Sequence, residues 1–433
     1  MNRTATSRRN VLALAAGLPA LAACASIPVL PDGPADPMER LALLTEALDG
    51  APLYDGNKVD VLDGGGAAFA SLFRDLRAAR DHIHLEYFIL EDVSVPGTAG
   101  QSLFELLEAK LRDGVAVTLI HDAFGSSPTP AAAFERLRAA GARTLAFNPL
   151  DPLEARTGWA PNDRDHRKIM VVDGRIGMTG GVNLDRVYEN PCEVASAAER
   201  DPADACWRDV ALRLEGPAVA GLQKLFLETW EKQRGPPLPP RDWFPKLDAR
   251  GPARVRVLGS VPGEKRPRFY VTLMAAIAAA RQRLWLTTGY FVPTLQQRRA
   301  LRAAARRGVQ VRLLLPSISD SADALAAQRA AYDDMLEAGI EIREVQGAVL
   351  HAKLVTVDGV WSAVGSSNFD RRSVAWNNEV DAIVLGAGTA ARLEALLGRD
   401  WERAKPVTLE AWERRGLGER IREQTSRLII DLL

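Results

Sequence analysis

The sequence predicts an α/β protein of two pseudo-symmetric halves, each a mixed β-sheet covered by helices, with one active site between them. Three observations predict it: helix and strand patterns alternate along the chain, that alternation is written twice, and each copy carries one His-x-Lys motif. Alternating elements with apolar strand cores call for sheets covered on both faces. At 433 residues, 47% hydrophobic and 25% charged, the chain is long enough for two units with substantial cores.

The elements follow in order. Phe69–Phe88 (FASLFRDLRAARDHIHLEYF) reads as an amphipathic helix running into a strand, and Val271–Phe291 (VTLMAAIAAARQRLWLTTGYF) repeats it. A second helix and strand come next, ending at Arg112–Ile120 in the first copy and Arg306–Leu315 in the second. A third helix closes in both copies on a glycine, Gly141 and Gly339, suited to the left-handed conformation that terminates helices. The histidine-bearing strands come after it. Between the copies lies Gly235-Pro236-Pro237-Leu238-Pro239-Pro240, whose prolines favour an extended, stiff linker. The expected units are therefore 53–235, a proline-rich linker at 236–250, and 251–408.

The ends read differently. Ser7-Arg8-Arg9 followed by an apolar run from Val11 to Ala23 resembles a twin-arginine export leader, and Leu21-Ala22-Ala23-Cys24 resembles a lipobox. Residues 1–24 are thus expected to be a signal peptide with Cys24 as the lipidated residue, and 25–52 a linker and N-terminal helix. The alternative is a buried helix. On the leader reading the protein sits on the periplasmic side of a bacterial membrane, attached through its lipid, and Ala25 leaves outer-membrane sorting open. No other window holds the ~20 apolar residues of a spanning helix. In an oxidising compartment Cys192 and Cys206 can bridge, the alternative being two free thiols. Residues 409–433 form an amphipathic tail, with Arg414, Arg415, Arg420, Arg422 and Arg427 among apolar residues. Such a tail lies on acidic lipid or packs against the body.

Fifty-five basic and 55 acidic residues cancel, so no general field draws nucleic acid to the protein. Only nine of the basic residues are lysines. Two of them fall in the motifs. Counted from His166 and His351, the copies agree in lysine (Lys168, Lys353), aspartate (Asp173, Asp358), glycine (Gly180, Gly365) and asparagine (Asn183, Asn368). In a strand, residues two apart share a face, so each His and Lys should project from one side of a sheet. Asp173 and Asp358 enter the catalytic set as motif members, but each precedes a glycine as in an Asp-Gly hairpin, which points to a turn role. Aligning Gly216 with Gly386 makes Asp209 the counterpart of Glu379, with both Cys192 and Cys206 inside a first-half insertion. A carboxylate at each site can hold its imidazole in one tautomer, the alternative being two solvated charges.

The paired H-x-K-x4-D motifs with trailing G-x-x-N resemble the phospholipase D superfamily. The segments DHRKIMVVDGRIGMTGGVNLD, WRDVALRLEGPAV, TTGYFVPT and GSSNFDRRSVAWNNEVD are similar to its bacterial cardiolipin synthase branch. The resemblance implies phospholipase D-like domains and a phosphatidyl transfer through phosphohistidine, with His166 as nucleophile and His351 as acid and then base. Pseudo-symmetry permits the opposite assignment. Lys168, Lys353, Asn183 and Asn368 would cradle the phosphate, with Ser366 and Ser367 as further hydroxyl donors or as ordinary turn serines. No metal, cofactor or obligate protein partner is expected. Whether the acceptor is water or an alcohol is settled by no residue, but the branch implies an alcohol, the headgroup of phosphatidylglycerol. The competing readings are a phospholipase D-type hydrolase, a nuclease, and a non-catalytic envelope lipoprotein. His82, His84 and His121 are expected to be structural, while Glu86 and Tyr87 are candidates for lining the pocket.

Overall fold

Apolar residues at helical spacing, such as Phe69, Leu72, Phe73 and Leu76, bury one stripe of the first helix, and the strands His82–Tyr87 and Ala116–Asp122 are buried along their whole length. A computed structural model describes residues 50–95, 100–151, 153, 159–189, 192, 205–416, 418, 421–423, 425 and 426, with 36, 39 and 41. The expected leader with Cys24 and the apolar end of the tail lie outside the described residues.

The first half runs β1 (Tyr54–Asp63), α1 (Gly64–Ala78), β2 (His82–Tyr87), α2 (Leu103–Arg112), β3 (Ala116–Asp122), α3 (Ala131–Ala139) and β4 (Arg143–Phe147). It continues with β5 (Arg164–Asp165), β6 (Lys168–Val172), β7 (Ile176–Gly180), β8 (Cys206–Arg208), β9 (Val210–Glu215) and α4 (Val219–Lys232). The second half runs β10 (Ala253–Ser260), α5 (Arg268–Ala279), β11 (Arg283–Thr287), α6 (Leu295–Arg306), β12 (Gln310–Pro316), α7 (Ala322–Arg329), α8 (Tyr332–Glu337) and β13 (Glu341–Val345). Then come β14 (Ala348–Leu350), β15 (Leu354–Val357), β16 (Trp361–Gly365), α9 (Arg371–Ala375), β17 (Asn377–Leu385), α10 (Ala387–Arg403), β18 (Lys405–Val407) and α11 (Leu409–Glu413). The glycines that end α3 and α8, Gly141 and Gly339, have φ of 106° and 81°.

The sheet order is nearly a palindrome: β4-β3-β2-β6-β7-β9-β1 continues into β10-β17-β16-β15-β11-β12-β13, with β18 at the far edge. In each half the three outer repeat strands are parallel and the rest antiparallel. β1 and β10 join the halves, and one core that includes Leu212, Leu222, Val255, Val380 and Leu393 fills the junction from both sides. Register fixes the equivalence of the repeats. Ile83 faces Val172 and Leu284 faces Val357, which makes Gly289 the counterpart of Phe88 and Phe291 that of Leu90. The aromatic ends of the two repeated segments, Phe88 and Phe291, are thus not equivalent.

Two short parallel pairs cross between the halves: β5 lies beside the start of β17, and β14 beside β8. Cys206 of β8 is disulfide-bonded to Cys192, with Cα atoms 5.3 Å apart. At the C-terminus, Trp412 packs against Tyr332 with ring centroids 4.9 Å apart, so the start of the tail rests on the body. Among the described residues no helix is long and apolar enough to cross a membrane.

Candidate active site

Each histidine is delivered by a cross-half strand pair. The His166 N–H donates to the Asn378 carbonyl at 2.9 Å, and the next residue on β17 is Glu379. The His351 N–H likewise donates to the Arg208 carbonyl at 2.8 Å, and the next residue is Asp209. The carboxylates are therefore exchanged between the halves. Glu379 Oε2 lies 3.0 Å from Nδ1 of His166, and Asp209 Oδ2 lies 2.7 Å from Nδ1 of His351. A carboxylate on Nδ1 holds the proton there and turns the Nε2 lone pair outward.

The histidines precede β6 and β15 rather than lying within them, which modifies the expected shared face. Lys168 and Lys353 are buried, and each ammonium donates back to the carbonyl of its own motif histidine. Neither lines the cavity that both imidazoles share, although the Lys168 ammonium lies 5.4 Å from the ring of Phe88 in its wall, so their expected part in the cradle becomes that of nearby charge. The motif aspartates are corrected to turn residues. Asp173 and Asp358 have φ of 53° and 52°, followed by Gly174 and Gly359 at 62° and 68°, as a tight Asp-Gly hairpin requires. The Asp173 carboxylate accepts from the amides of Arg80, Asp81 and His82 at 2.9, 2.7 and 2.9 Å. Asp358 accepts from Arg281, Gln282 and Arg283 at 3.0, 2.8 and 3.1 Å. Both lock the end of the β2 or β11 strand to the hairpin, away from the reacting atoms.

The carboxylates have unlike supports. Glu379 accepts from the Ser366 hydroxyl and, at 3.1 Å, from the Asn377 amide. Ser366 is therefore not a phosphate donor as expected from its place in the motif, because its hydroxyl is committed to Glu379. Ser367 is committed in the same way to Asp381. Asp209 accepts from the Val210 amide at 2.8 Å and from the Tyr188 hydroxyl at 2.8 Å, and that hydroxyl is also 3.0 Å from His351 Nδ1. The counterpart of Ser366 is Gly181, where a Cβ would come within 2.1 Å of Asp209 Oδ1. Tyr188 was not apparent from the sequence; its only signal is proximity to the motif.

Burial dominates the electrostatics and Glu379 only partly opposes it, so the His166 imidazole is depressed to about 4 and is neutral near pH 7. Burial raises the Glu379 carboxyl, but His166, Lys168 and Ser366 outweigh it and hold it down at about 2. Burial also brings Lys168 down to about 7 and Lys353 to about 8. His351 is lowered by burial and by Lys353, with Asp209 opposing. Asp209 stays low because His351 and Lys353 outweigh its burial.

Both imidazoles open on one cavity of about 470 Å³, with Asn183 and Asn368 in its wall. The Asn183 amide oxygen accepts from the Ile89 N–H at 3.3 Å, and the Asn368 amide oxygen lies 3.5 Å from the Thr288 hydroxyl, which donates to the Tyr290 carbonyl at 3.0 Å. The aromatic wall is uneven. Phe88 meets His166 edge-on at 5.2 Å, whereas its counterpart Gly289 leaves room beside His351 that a Cβ would fill to within 3.2 Å of the ring. His351 meets Trp207 instead, at 5.0 Å. A second hollow of about 510 Å³ beneath the tail contains neither histidine.

The expected pocket residues Glu86 and Tyr87 are wholly buried and do not line the cavity; Glu86 accepts from Thr229 at 2.9 Å and lies 3.6 Å from Arg167. His82, His84 and His121 are buried in structural contacts, His84 stacked on Phe226 and His121 on Phe134.

The sequence matches the family described as cardiolipin synthase, PLD-like domain, over residues 72–198 and 273–401. It is 33% identical over 387 residues to a cardiolipin synthase of Geobacillus kaustophilus, covering 88% of this chain and 74% of that one. It is 36% identical over 359 residues to cardiolipin synthase A of Pseudomonas aeruginosa, covering 83% and 70%. Among solved structures, phosphatidylserine synthase of Haemophilus influenzae superposes with a TM-score of 0.62 over 92% of this chain and 100% of that one. At 11% identity that is a likeness of fold. Duplicated architecture, paired histidines and sequence likeness over most of its length agree: the chain belongs to the cardiolipin synthase family of phospholipase D-like proteins.

Proposed function

We propose that the protein is a phosphatidyltransferase that makes cardiolipin from two phosphatidylglycerol molecules and releases glycerol. The observation that carries this is the pair of buried imidazoles, each held at Nδ1 by a carboxylate of the opposite half and both facing one cavity. In the first step Nε2 of His166 attacks phosphorus, a P–N bond forms, and the P–O bond to glycerol breaks as His351 protonates the leaving oxygen. In the second, His351 takes the proton from a hydroxyl of the second lipid, whose oxygen forms the new P–O bond as the P–N bond breaks.

The asymmetry of the site supports this division of roles. His166 is neutral near pH 7 and fixed by Glu379, as a nucleophile must be. His351 shares its Nδ1 environment with both Asp209 and Tyr188, a setting suited to a group that gains and loses a proton each turnover. Asn183 and Asn368 donate to the phosphoryl oxygens, and Lys168 and Lys353, protonated once the anionic phosphate is bound beside them, supply positive charge. Phe88, Trp207 and Trp376 in the cavity wall favour a lipid acceptor over water. Twin arginines and Cys24 in the N-terminal segment support export and a lipid anchor at the periplasmic membrane surface, a setting in which the Cys192–Cys206 bond is stable.

The test is incubation of the purified protein with phosphatidylglycerol vesicles and separation of the lipid products. Cardiolipin with stoichiometric glycerol is expected. Phosphatidic acid without cardiolipin would make the enzyme a hydrolase.

A further inference from the structure

The halves differ in the connection that runs from the motif asparagine to the histidine-orienting carboxylate. In the second half the stretch from Asn368 to Glu379 holds only the short helix α9. In the first half the stretch from Asn183 to Asp209 carries the insertion with Cys192 and Cys206, and those two are disulfide-bonded. Both cysteines are half-buried and pack against the core shared by the halves.

The bond ties together the surroundings of one histidine. Four positions before Cys192, Tyr188 donates its hydroxyl to Asp209 and lies 3.0 Å from Nδ1 of His351. Directly after Cys206 comes Trp207, whose ring centroid is 5.0 Å from that of His351 and 5.9 Å from that of Tyr188. Next are Arg208, whose carbonyl accepts from the His351 N–H at 2.8 Å, and Asp209, 2.7 Å from Nδ1. The backbone that carries Trp207 and Arg208 is slight. Among the described residues β8 pairs with β14 alone, over Cys206–Ala348, Trp207–Val349 and Arg208–Leu350, and two strands of that length are marginal by themselves. The Arg208 guanidinium holds one end of β8 by donating to Asp400 at 2.9 Å, and the bond to Cys192 holds the other. Glu379, which orients His166, needs no such tie, because β17 lies between β10 and β16 in the large sheet.

We propose that the Cys192–Cys206 disulfide positions the acid and base His351, so that reducing it slows proton transfer to the leaving group and spares nucleophilic attack by His166. This rests on the roles given to the two histidines above. With the bond open, β8 keeps only its inner tie, and Trp207 and Tyr188 lose their shared anchor beside the His351 ring. A small displacement there costs rate steeply, because the proton must be delivered along one line to the departing oxygen.

The test compares two leaving groups on the same phosphatidyl donor. Full-length protein is assayed oxidised, reduced with dithiothreitol, and as the Cys192→Ser/Cys206→Ser double variant. The substrates are phosphatidylglycerol and a phosphatidyl ester whose leaving group needs no protonation. Reduction passes two electrons and two protons from the dithiol to the bond, giving two cysteine thiols and the cyclic disulfide of the reagent. Glycerol release should fall about tenfold, release of the first equivalent of the activated group should change less than about twofold, and reoxidation should restore the difference. The double variant should start at the lower glycerol rate and be indifferent to the reductant. An equal fall with both substrates would make the bond a general stabiliser and overturn the proposal, as would no change with either. A fall produced by the reductant in the double variant would overturn it too. If the double variant does not fold, the reduced and reoxidised wild type decide the matter. Oxidised protein that releases glycerol but makes phosphatidic acid in place of cardiolipin would overturn the transferase reading and not this one, since His351 protonates the leaving oxygen in either reaction.

Discussion

His166 and His351 stand at equivalent positions of two copies of one fold, yet their surroundings differ in every layer. His166 meets Phe88, with Glu379 held by Ser366 and Asn377. His351 meets Trp207, with Asp209 held by Tyr188 and the Val210 amide. The longer Glu side chain goes with a serine beside it, and the shorter Asp with Gly181 and a tyrosine hydroxyl. Duplication supplies two imidazoles aimed at one phosphorus, and divergence of the supporting residues lets one be a nucleophile and the other an acid and base.

The most severe way to break the comparison is to remove either imidazole. His166→Ala and His351→Ala should each lower kcat for cardiolipin formation by about four orders of magnitude, read by lipid product analysis. The carboxylates come next. Glu379→Gln and Asp209→Asn should cost about 10²- to 10⁴-fold through loss of the fixed tautomer, with little change in KM. Because the pairs are exchanged between halves, Glu379→Gln combined with His166→Ala should add almost nothing to the loss from His166→Ala alone. Independent effects would contradict the pairing.

Tyr188→Phe sharpens the contrast at lower cost. Removing its hydroxyl takes a donor from Asp209, leaves the carboxylate better able to stabilise the His351 imidazolium, and should raise the basic limb of the kcat/KM pH profile. About a tenfold loss of rate is expected with it. Ser366→Ala, on the nucleophile's side, should lower the rate without moving that limb.

The smallest effect is on stability. The folded His166 lies near 4 against an ordinary 6.5, so between those pH values the unfolded chain binds more protons. Its contribution is therefore intact above about pH 6.5 and is lost as pH falls toward 4, amounting to at most about 3 kcal/mol. Urea unfolding at pH 7 and pH 4.5 should show a shallower pH dependence in His166→Gln than in the wild type.

The doubled α/β order, both histidines and both asparagines were legible in the sequence because the repeats keep one spacing over many residues. The carboxylates were legible as candidates through Gly216 and Gly386. Their exchange between halves was not, since it depends on β5 and β14, strands of two and three residues that carry no periodicity. The equivalence of Phe88 and Gly289 was not legible either, because an aromatic ends both repeated segments and only strand register sets their alignment. Ser366 reads in sequence like a loop donor aimed at phosphate. Only the approach of Glu379 from β17 explains its role.

The division of labour between the two histidines is tested most directly by trapping the covalent intermediate. With a phosphatidyl ester whose leaving group needs no protonation, His351→Ala should still release one equivalent rapidly and accumulate a phosphatidyl adduct, which peptide mass spectrometry after alkaline quench should place on His166. His166→Ala should show neither burst nor adduct. An adduct on His351 in the His166→Ala protein would contradict the assignment.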